Sequence, residues 1–330
     1  MAMLGSLTQF WGLVRELDLV QLRADIQRPV GLALRGAEGS GRHTLARALL
    51  GGDSAAAGAH ILPVAAETPA SVDATLLVLD GRAAPDDATR VAAARLAASG
   101  PLLIVHTFAD QVPEPARCDQ QGLGIAAPEV WVDARDAEAV RETLGTLLAE
   151  RLPHLALALG RRAPVLRPSV ATALIRDASR VNAEFALLSN LPAVIPLAGG
   201  LAGDAADLLV LTKNQALLVF KLAGLYGRDL GNLRALALEI LPVVGGALFW
   251  RTLARSAAGL LPPMVGAAPK TAVAFVGTFV VGQIARFYYE HGRRPPREAV
   301  ARFRDEGARL FAQLATRLGR GRKEPDAQAS

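Results

Sequence analysis

Four short runs of consecutive apolar residues organise the first half of the chain: Val30–Leu34, Leu76–Leu79, Leu102–Val105 and Val130–Val132. None alternates with polar residues, so each predicts a strand covered on both faces. The stretches between them differ in period. Arg90–Ala98 is Ala-rich and predicts a helix, as does Asp136–Leu152. Strands of this kind separated by helices predict a parallel α/β sheet. Ahead of the first strand, residues 6–27 predict two short helices. Ser6 with Gln9 fits a capping box, Asp18 with Gln21 a second one, and Phe10, Leu13, Val14 and Leu17 share a face. Pro29 ends this segment.

Beyond Leu152 the pattern changes. Pro153, Gly160, Pro164 and Pro168 punctuate residues 153–168, which read as a linker. From Val170 to Tyr289 no strand is predicted; the chain reads as helical, rich in Ala, Leu and Gly, with no solenoid repeat. Within it, residues 205–227 place Asp207, Lys213, Asn214, Gln215 and Lys221 as on an amphipathic helix. After Pro295-Pro296, a helix is predicted to about Leu318. Val300, Phe303, Gly307, Leu310, Leu314 and Leu318 form its apolar stripe, Phe311 widens it, and Asp305 and Arg309 form an i,i+4 pair. The stripe is expected against the preceding helices or a membrane surface. The expected organisation is therefore N-terminal helices at 1–29, an α/β domain at 30–152, a linker at 153–168, an all-α hydrophobic domain at 169–292, and a basic helix and tail at 293–330.

Composition sharpens the second half. The 330 residues suit two domains, and 51% hydrophobic residues with a mean hydropathy of +0.27 bring membrane contact into consideration. The longest uncharged run, Phe185–Gly203, holds 19 residues but also Pro192 and Pro196. A bilayer span takes about 20 apolar residues, so a break or hairpin is expected there. Further uncharged runs are Ile240–Trp250, Ser256–Pro269 and Thr271–Ala285. Trp250, Tyr288 and Tyr289 end such runs, as interfacial anchors do. A compact soluble helical bundle fits the same residues. The net charge of +5 is uneven: ten basic residues lie between Arg293 and Lys323. A solvated helix face, an anionic membrane surface and nucleic acid each suit such a tail; without interleaved aromatics, nucleic acid is not expected. The single Cys118 excludes an internal disulfide, and charges at Arg15, Glu16 and Asp18 argue against a secretory signal.

The chemistry-bearing segment follows the first strand. Gly36-Ala37-Glu38-Gly39-Ser40-Gly41-Arg42-His43-Thr44 has the glycine spacing of a phosphate-binding loop, in which backbone N–H groups wrap phosphates at a helix N-terminus. The lysine position is Arg42 and the magnesium-hydroxyl position is His43. Thr44 falls one place late and is expected to point elsewhere. Magnesium prefers oxygen ligands, so the imidazole is a poor substitute. Asp80, closing the second apolar run, offers an alternative Walker B reading. His43, His60, His106, His154 and His291 form no metal-ligand spacing, and His106 reads as a strand-end side chain. No nucleophile–base order is visible, so no catalytic residue is expected.

Residues 31–150 resemble the Era-type GTPases. The resemblance implies a P-loop fold, GTP and magnesium as ligands, and four motifs. Here each motif departs from its pattern. The Asp-x-x-Gly switch corresponds to Glu67-Thr68-Pro69-Ala70. The base-recognition Asn-Lys-x-Asp corresponds to Thr107-Phe108-Ala109-Asp110, with Asp110 retained. The Ser-Ala loop corresponds to Asp133-Ala134. Residues 170–310 resemble the bacterial family of unknown function typified by YcjF, through Asn190-Leu191-Pro192, Asp204, Asp207, Gln215, Tyr226-Gly227, Pro262 and Gly277–Tyr288. That resemblance implies inner-membrane association at the cytoplasmic face. The expectation is a membrane-associated pseudo-GTPase adaptor with no resident cofactor and an unidentified protein partner. The alternatives are a slow GTP- or ATP-hydrolysing regulator and a soluble, cytoplasmic helical scaffold with an anion site.

Overall fold

The computed structural model describes residues 17–51, 59–63, 72–117, 123–189, 201–232, 236 and 268–321. Outside them lie the first predicted N-terminal helix, the switch remnant Glu67 to Ala70, Cys118, most of the Phe185–Gly203 run, the run Ile240–Trp250 and most of the run Ser256–Pro269. The chain divides into two compact units: Gln21–Ala173, and Leu174–Ser330 together with Met1–Val20.

The first unit is built on a five-stranded parallel sheet: β1 (Val30–Arg35), β2 (Ala59–Pro63), β3 (Ala74–Asp80), β4 (Leu102–Thr107) and β5 (Glu129–Trp131), in the order β2-β1-β3-β4-β5. Three of the four apolar runs became interior strands for the expected reason, whereas Val130–Val132 falls at the sheet edge on β5, where Glu129 is exposed and Val130 and Trp131 are only half-buried. Leu32, Leu34, Leu76, Val78 and Val105 are fully buried, and burying each stabilises the fold by about 1.5–3 kcal/mol. On one face Leu77, Leu79, Leu102 and Ile104 pack with Ala93 of the helix Asp87–Ser99. Asp86 caps that helix, its carboxylate accepting from the Thr89 N–H at 2.8 Å. The short strand β2 was not predicted; the sequence Ala59-His60-Ile61-Leu62-Pro63 lies between segments with no strand pattern.

Helices of this unit are numbered in chain order: α1 (Leu19–Gln27), α2 (Arg42–Leu50), α3 (Asp87–Ser99), α4 (Glu114–Arg117), α5 (Ala137–Glu142), α6 (Leu144–Arg151) and α7 (Pro153–Arg162). The single helix expected over Asp136–Leu152 is broken at Thr143, whose hydroxyl bonds the Ala139 carbonyl at 2.5 Å. Such back-bonding bends helices. Residues 153–168 are not an irregular linker. Pro153 occupies the first turn of α7, where its missing N–H costs nothing. Leu155, Ala158 and Leu159 are buried, and Arg162 donates to the carbonyls of Gln27 and Arg28 at 2.6 and 3.1 Å, closing the end of α1. The division between units instead falls inside α8 (Arg167–Leu188).

The second unit is helical in its described residues: most of α8, then α9 (Leu201–Leu225), α10 (Ala268–His291) and α11 (Arg297–Gly321). Phe220, Leu222 and Leu225 of α9 and Phe279, Val280 and Val281 of α10 are buried. Gly282 is needed for close packing, since a Cβ there would meet Ile175 Cγ1 at 2.7 Å. Lys270–His291 is long and apolar enough to cross a membrane, and 72% of its apolar window is buried by neighbouring helices. The apolar stripe of α11 takes the first of its two expected destinations: Val300, Phe303, Leu310, Phe311 and Leu314 pack against Phe275, Val276, Val280 and Ile284. Buried Gly307 lies against Phe279. Asp305 pairs with its neighbour Arg304 at 3.0 Å, not with Arg309.

Asn214 and Gln215 were expected on the polar face of an amphipathic helix; both turn inward. Asn182, fully buried, donates to the Thr278 hydroxyl at 2.8 Å and accepts from Asn214 at 2.7 Å. Gln215 donates to the same hydroxyl at 3.1 Å, and that hydroxyl donates to the Ala274 carbonyl at 2.8 Å. A buried polar group is tolerated only when paired, so this network fixes how α8, α9 and α10 align.

Candidate functional site

The Gly36–Gly41 loop joins the carboxyl end of β1 to α2. This is the switch point of the strand order, where chain connections leave β1 and β3 in opposite directions and open a crevice. The loop's glycines are required by geometry. A Cβ at Gly36 would sit 2.2 Å from the Val78 carbonyl oxygen, and Gly39 and Gly41 have φ of 82° and 81°. Gly41 caps α2, leaving the helix's first N–H groups directed out of its N-terminus. The loop therefore has the local backbone of an anion-binding nest.

Three of the chain's own side chains act on this loop. The Thr107 hydroxyl, on a residue 1% exposed at the end of β4, lies 2.8 Å from the Ser40 carbonyl oxygen and 3.0 Å from that of Leu79. Its one proton serves either bond. The Arg42 guanidinium folds back to donate to the Gly36 carbonyl, while its buried Nε has no partner. Ser40 Oγ, on a residue 2% exposed, turns inward over Gly36 and has no hydrogen-bond partner.

A cavity of about 530 Å³ opens in front of the loop. Glu38, Gly39, Gly41, Arg42, His43 and Thr44 line one end; Thr107, Phe108, Asp133, Ala134 and Arg135 line the rest. Thr44 lines the cavity beside His43, and both are exposed. The structure thus brings together the loop, two residues of the base-recognition remnant and the Asp133-Ala134 loop. Asp110 is exposed and is not among the lining residues.

Arg82 carries a contact that the sequence reading missed. Its guanidinium lies 3.8 Å from the Phe108 ring centroid. It is held there by paired bonds to Asp80, Nε to Oδ1 at 2.9 Å and Nη2 to Oδ2 at 2.8 Å, and by Gln111 at 3.4 Å. The side-chain hydrogen bond from Arg82 holds the Asp80 carboxyl below its ordinary pKa, against the opposing effect of burial. The signal was the acid–x–arginine spacing at the end of an apolar strand. Phe108 itself has φ 59°, a conformation rare outside glycine and costly for a bulky residue.

These residues do not fit magnesium. Asp80 is engaged by Arg82, the hydroxyl position carries His43, and among the described residues no three His, Cys, Asp or Glu side chains come together. Asp110, the residue the Era resemblance implies would read guanine, is not among the residues that line the cavity. Elsewhere, His106 is buried and stacked on Trp131, with ring centroids 4.3 Å apart, and its Nε2 lies 3.3 Å from Glu129. Burial pulls its pKa down, against the pull of Glu129 in the other direction. It is a packed strand residue at the end of β4, as its sequence context indicated.

No protein-family model matches this chain, and no curated protein matches it.

Proposed function

We propose that the chain is a membrane-associated pseudo-GTPase adaptor: an Era-type loop unit that has lost nucleotide turnover, joined to a YcjF-like helical domain held at the cytoplasmic face of the inner membrane. The observation that carries this reading is the engagement of the loop by the chain's own side chains. Arg42 bonds the Gly36 carbonyl, and Thr107 bonds that of Ser40. A phosphate-loop lysine has to reach the terminal phosphates, and here the residue in its place is turned onto the loop. Asp80, the only acid that closes β3, is bound to Arg82 and is not free for a metal. What the loop retains is backbone, so the unit serves as an anion nest whose occupancy is not coupled to hydrolysis.

The membrane part of the reading draws on the composition of the second half and on Lys270–His291. One observation favours the slow NTPase instead: the Thr44 hydroxyl group belongs to a residue that lines the cavity. Calorimetry of the full chain with magnesium-GTP and magnesium-ATP, followed by phosphate release, separates the two. The adaptor reading expects dissociation constants weaker than about 10 μM, or roughly −7 kcal/mol, and no turnover. Tighter binding or catalytic phosphate release overturns it. Extraction from membranes by detergent but not by salt is expected; release by buffer alone removes the membrane claim.

A further inference from the structure

The apolar stripe of α11 is covered by α10, and the helix keeps its charges on the other side. Gly307 marks the packed face, against Phe279. Arg302, five residues before it, and Arg309, two after it, therefore fall on the opposite face, two turns apart, and both are exposed. Arg293 and Arg294 are exposed in the connection leading to this helix, and Arg297 is exposed in its first turn. Among the described residues none of these five guanidiniums makes an ion pair or hydrogen bond. Arg304 and Asp305 neutralise each other at 3.0 Å, which leaves two carboxylates, Glu298 and Glu306, to oppose the five. Beyond Glu306 the sequence holds no acid before Glu324, while Arg317, Arg320, Arg322 and Lys323 follow. Small residues, Ala312 and Thr316, share the outer face, and Phe303 and Phe311 are turned to α10.

We infer that the outer face of α11 docks the helical unit on the acidic headgroups of a phospholipid bilayer, with α10 held at headgroup depth or above and not across the membrane. The inference rests on the membrane reading proposed above and names the surface that makes the contact. A guanidinium pairs with phosphate oxygens two at a time, so unpaired arginines on a flat face suit a layer of phosphates. The depth follows from the packing of α11 along the middle of α10, at Phe275–Ile284. Immersing α10 in hydrocarbon would carry Arg302 and Arg309 in beside it, and ionised side chains are costly there. Nucleic acid offers phosphate too, but a single strand stacks on aromatic side chains, which this face lacks. A duplex curves away from a straight helix of 25 residues, about 37 Å long, whereas a bilayer follows it from end to end. The salt-resistant hold expected in native membranes falls to uncharged runs such as Ile240–Trp250 and Ser256–Pro269; the α11 contact orients the unit and selects acidic lipid.

The test is flotation of the purified full chain with vesicles of phosphatidylcholine alone and with vesicles containing about one third phosphatidylglycerol. Each net positive charge at an acidic surface contributes about fivefold, so three in excess are expected to give the acidic vesicles a gain of about a hundredfold at low salt. The gain is expected to vanish near 1 M salt, where screening acts within about 3 Å. Arg302→Gln with Arg309→Gln is expected to cut the gain to about fivefold and to leave binding to neutral vesicles unchanged. Glu298→Gln removes an opposing charge from the same face and is expected to raise the gain about fivefold, an increase that a merely structural role for this helix would not produce. An equal, salt-independent affinity for both vesicles, unaltered in the variants, overturns the α11 contact while the membrane reading stands. If neither vesicle binds, the membrane reading itself fails. Should duplex DNA bind as tightly as the acidic vesicles and respond to the same variants, the assignment to lipid is wrong.

Discussion

Removing the Thr107 hydroxyl tests whether the loop is held by the chain itself. In Thr107→Val the shape is nearly kept, while the carbonyls of Ser40 and Leu79 lose their shared donor. Ser40 is 2% and Leu79 8% exposed, so water reaches neither freely. One buried bond contributes about 1 kcal/mol net, and leaving buried polar atoms unpaired costs about 1–3 kcal/mol. The expected loss is therefore about 1.5–3 kcal/mol. Thr107→Ser keeps the donor and deletes only the methyl, near where a Gly41 Cβ would lie; its cost is about 1 kcal/mol. Urea unfolding followed by Trp131 fluorescence, in a background where Trp11 and Trp250 are phenylalanine, reports on the α/β unit alone. With a urea slope of about 2 kcal/mol per M, the Val variant's midpoint falls by about 1 M and the Ser variant's by about half that. Equal losses in the two variants, or a loss below about 0.5 kcal/mol in Val, would refute the idea that this hydroxyl secures the loop.

Two other outcomes are expected. Asn182→Leu strands Asn214 and unpairs one side of the Thr278 hydroxyl inside the helical unit; a loss of about 2–4 kcal/mol is expected in thermal unfolding, and a neutral result would show that the network is not needed for packing. Asp80 has a lowered folded-state pKa, so its pair with Arg82 contributes stability that is fully present above the ordinary carboxylate pKa of 3.8 and is lost as pH falls through the depressed value. Asp80→Asn should thus flatten the acid limb of the α/β unit's stability profile, and an unchanged acid limb would contradict the assigned shift.

Much of the α/β unit was legible because its strands announce themselves. Leu76–Leu79 and Leu102–Val105 are buried on both faces, and a run of that kind has few other stable placements. The loop was legible for a similar reason: glycines at 36, 39 and 41 answer to local backbone geometry, which the chain carries with it. The buried polar positions in α8 also left a trace. Ile175, Ser179, Asn182, Ala183 and Ala186 repeat on one helical face, so the periodicity alone puts Ser179 and Asn182 inside.

The sequence by itself determined which segments bury themselves, which turn, and which loop carries a row of backbone donors. The partners were decided by tertiary structure. Nothing local tells Thr107 to bond a carbonyl 67 residues earlier, or Arg82 to support the ring of Phe108 while Asp110 stays outside the cavity. Prolines at 153, 164 and 168 read as a break because proline ends helices, yet it also starts them, and only packing against the sheet unit selects that use. The stripe of α11 has the same character. Its spacing demands an apolar surface, and the available surface proved to be α10, because Phe275, Val276 and Val280 come within reach only once the chain has folded.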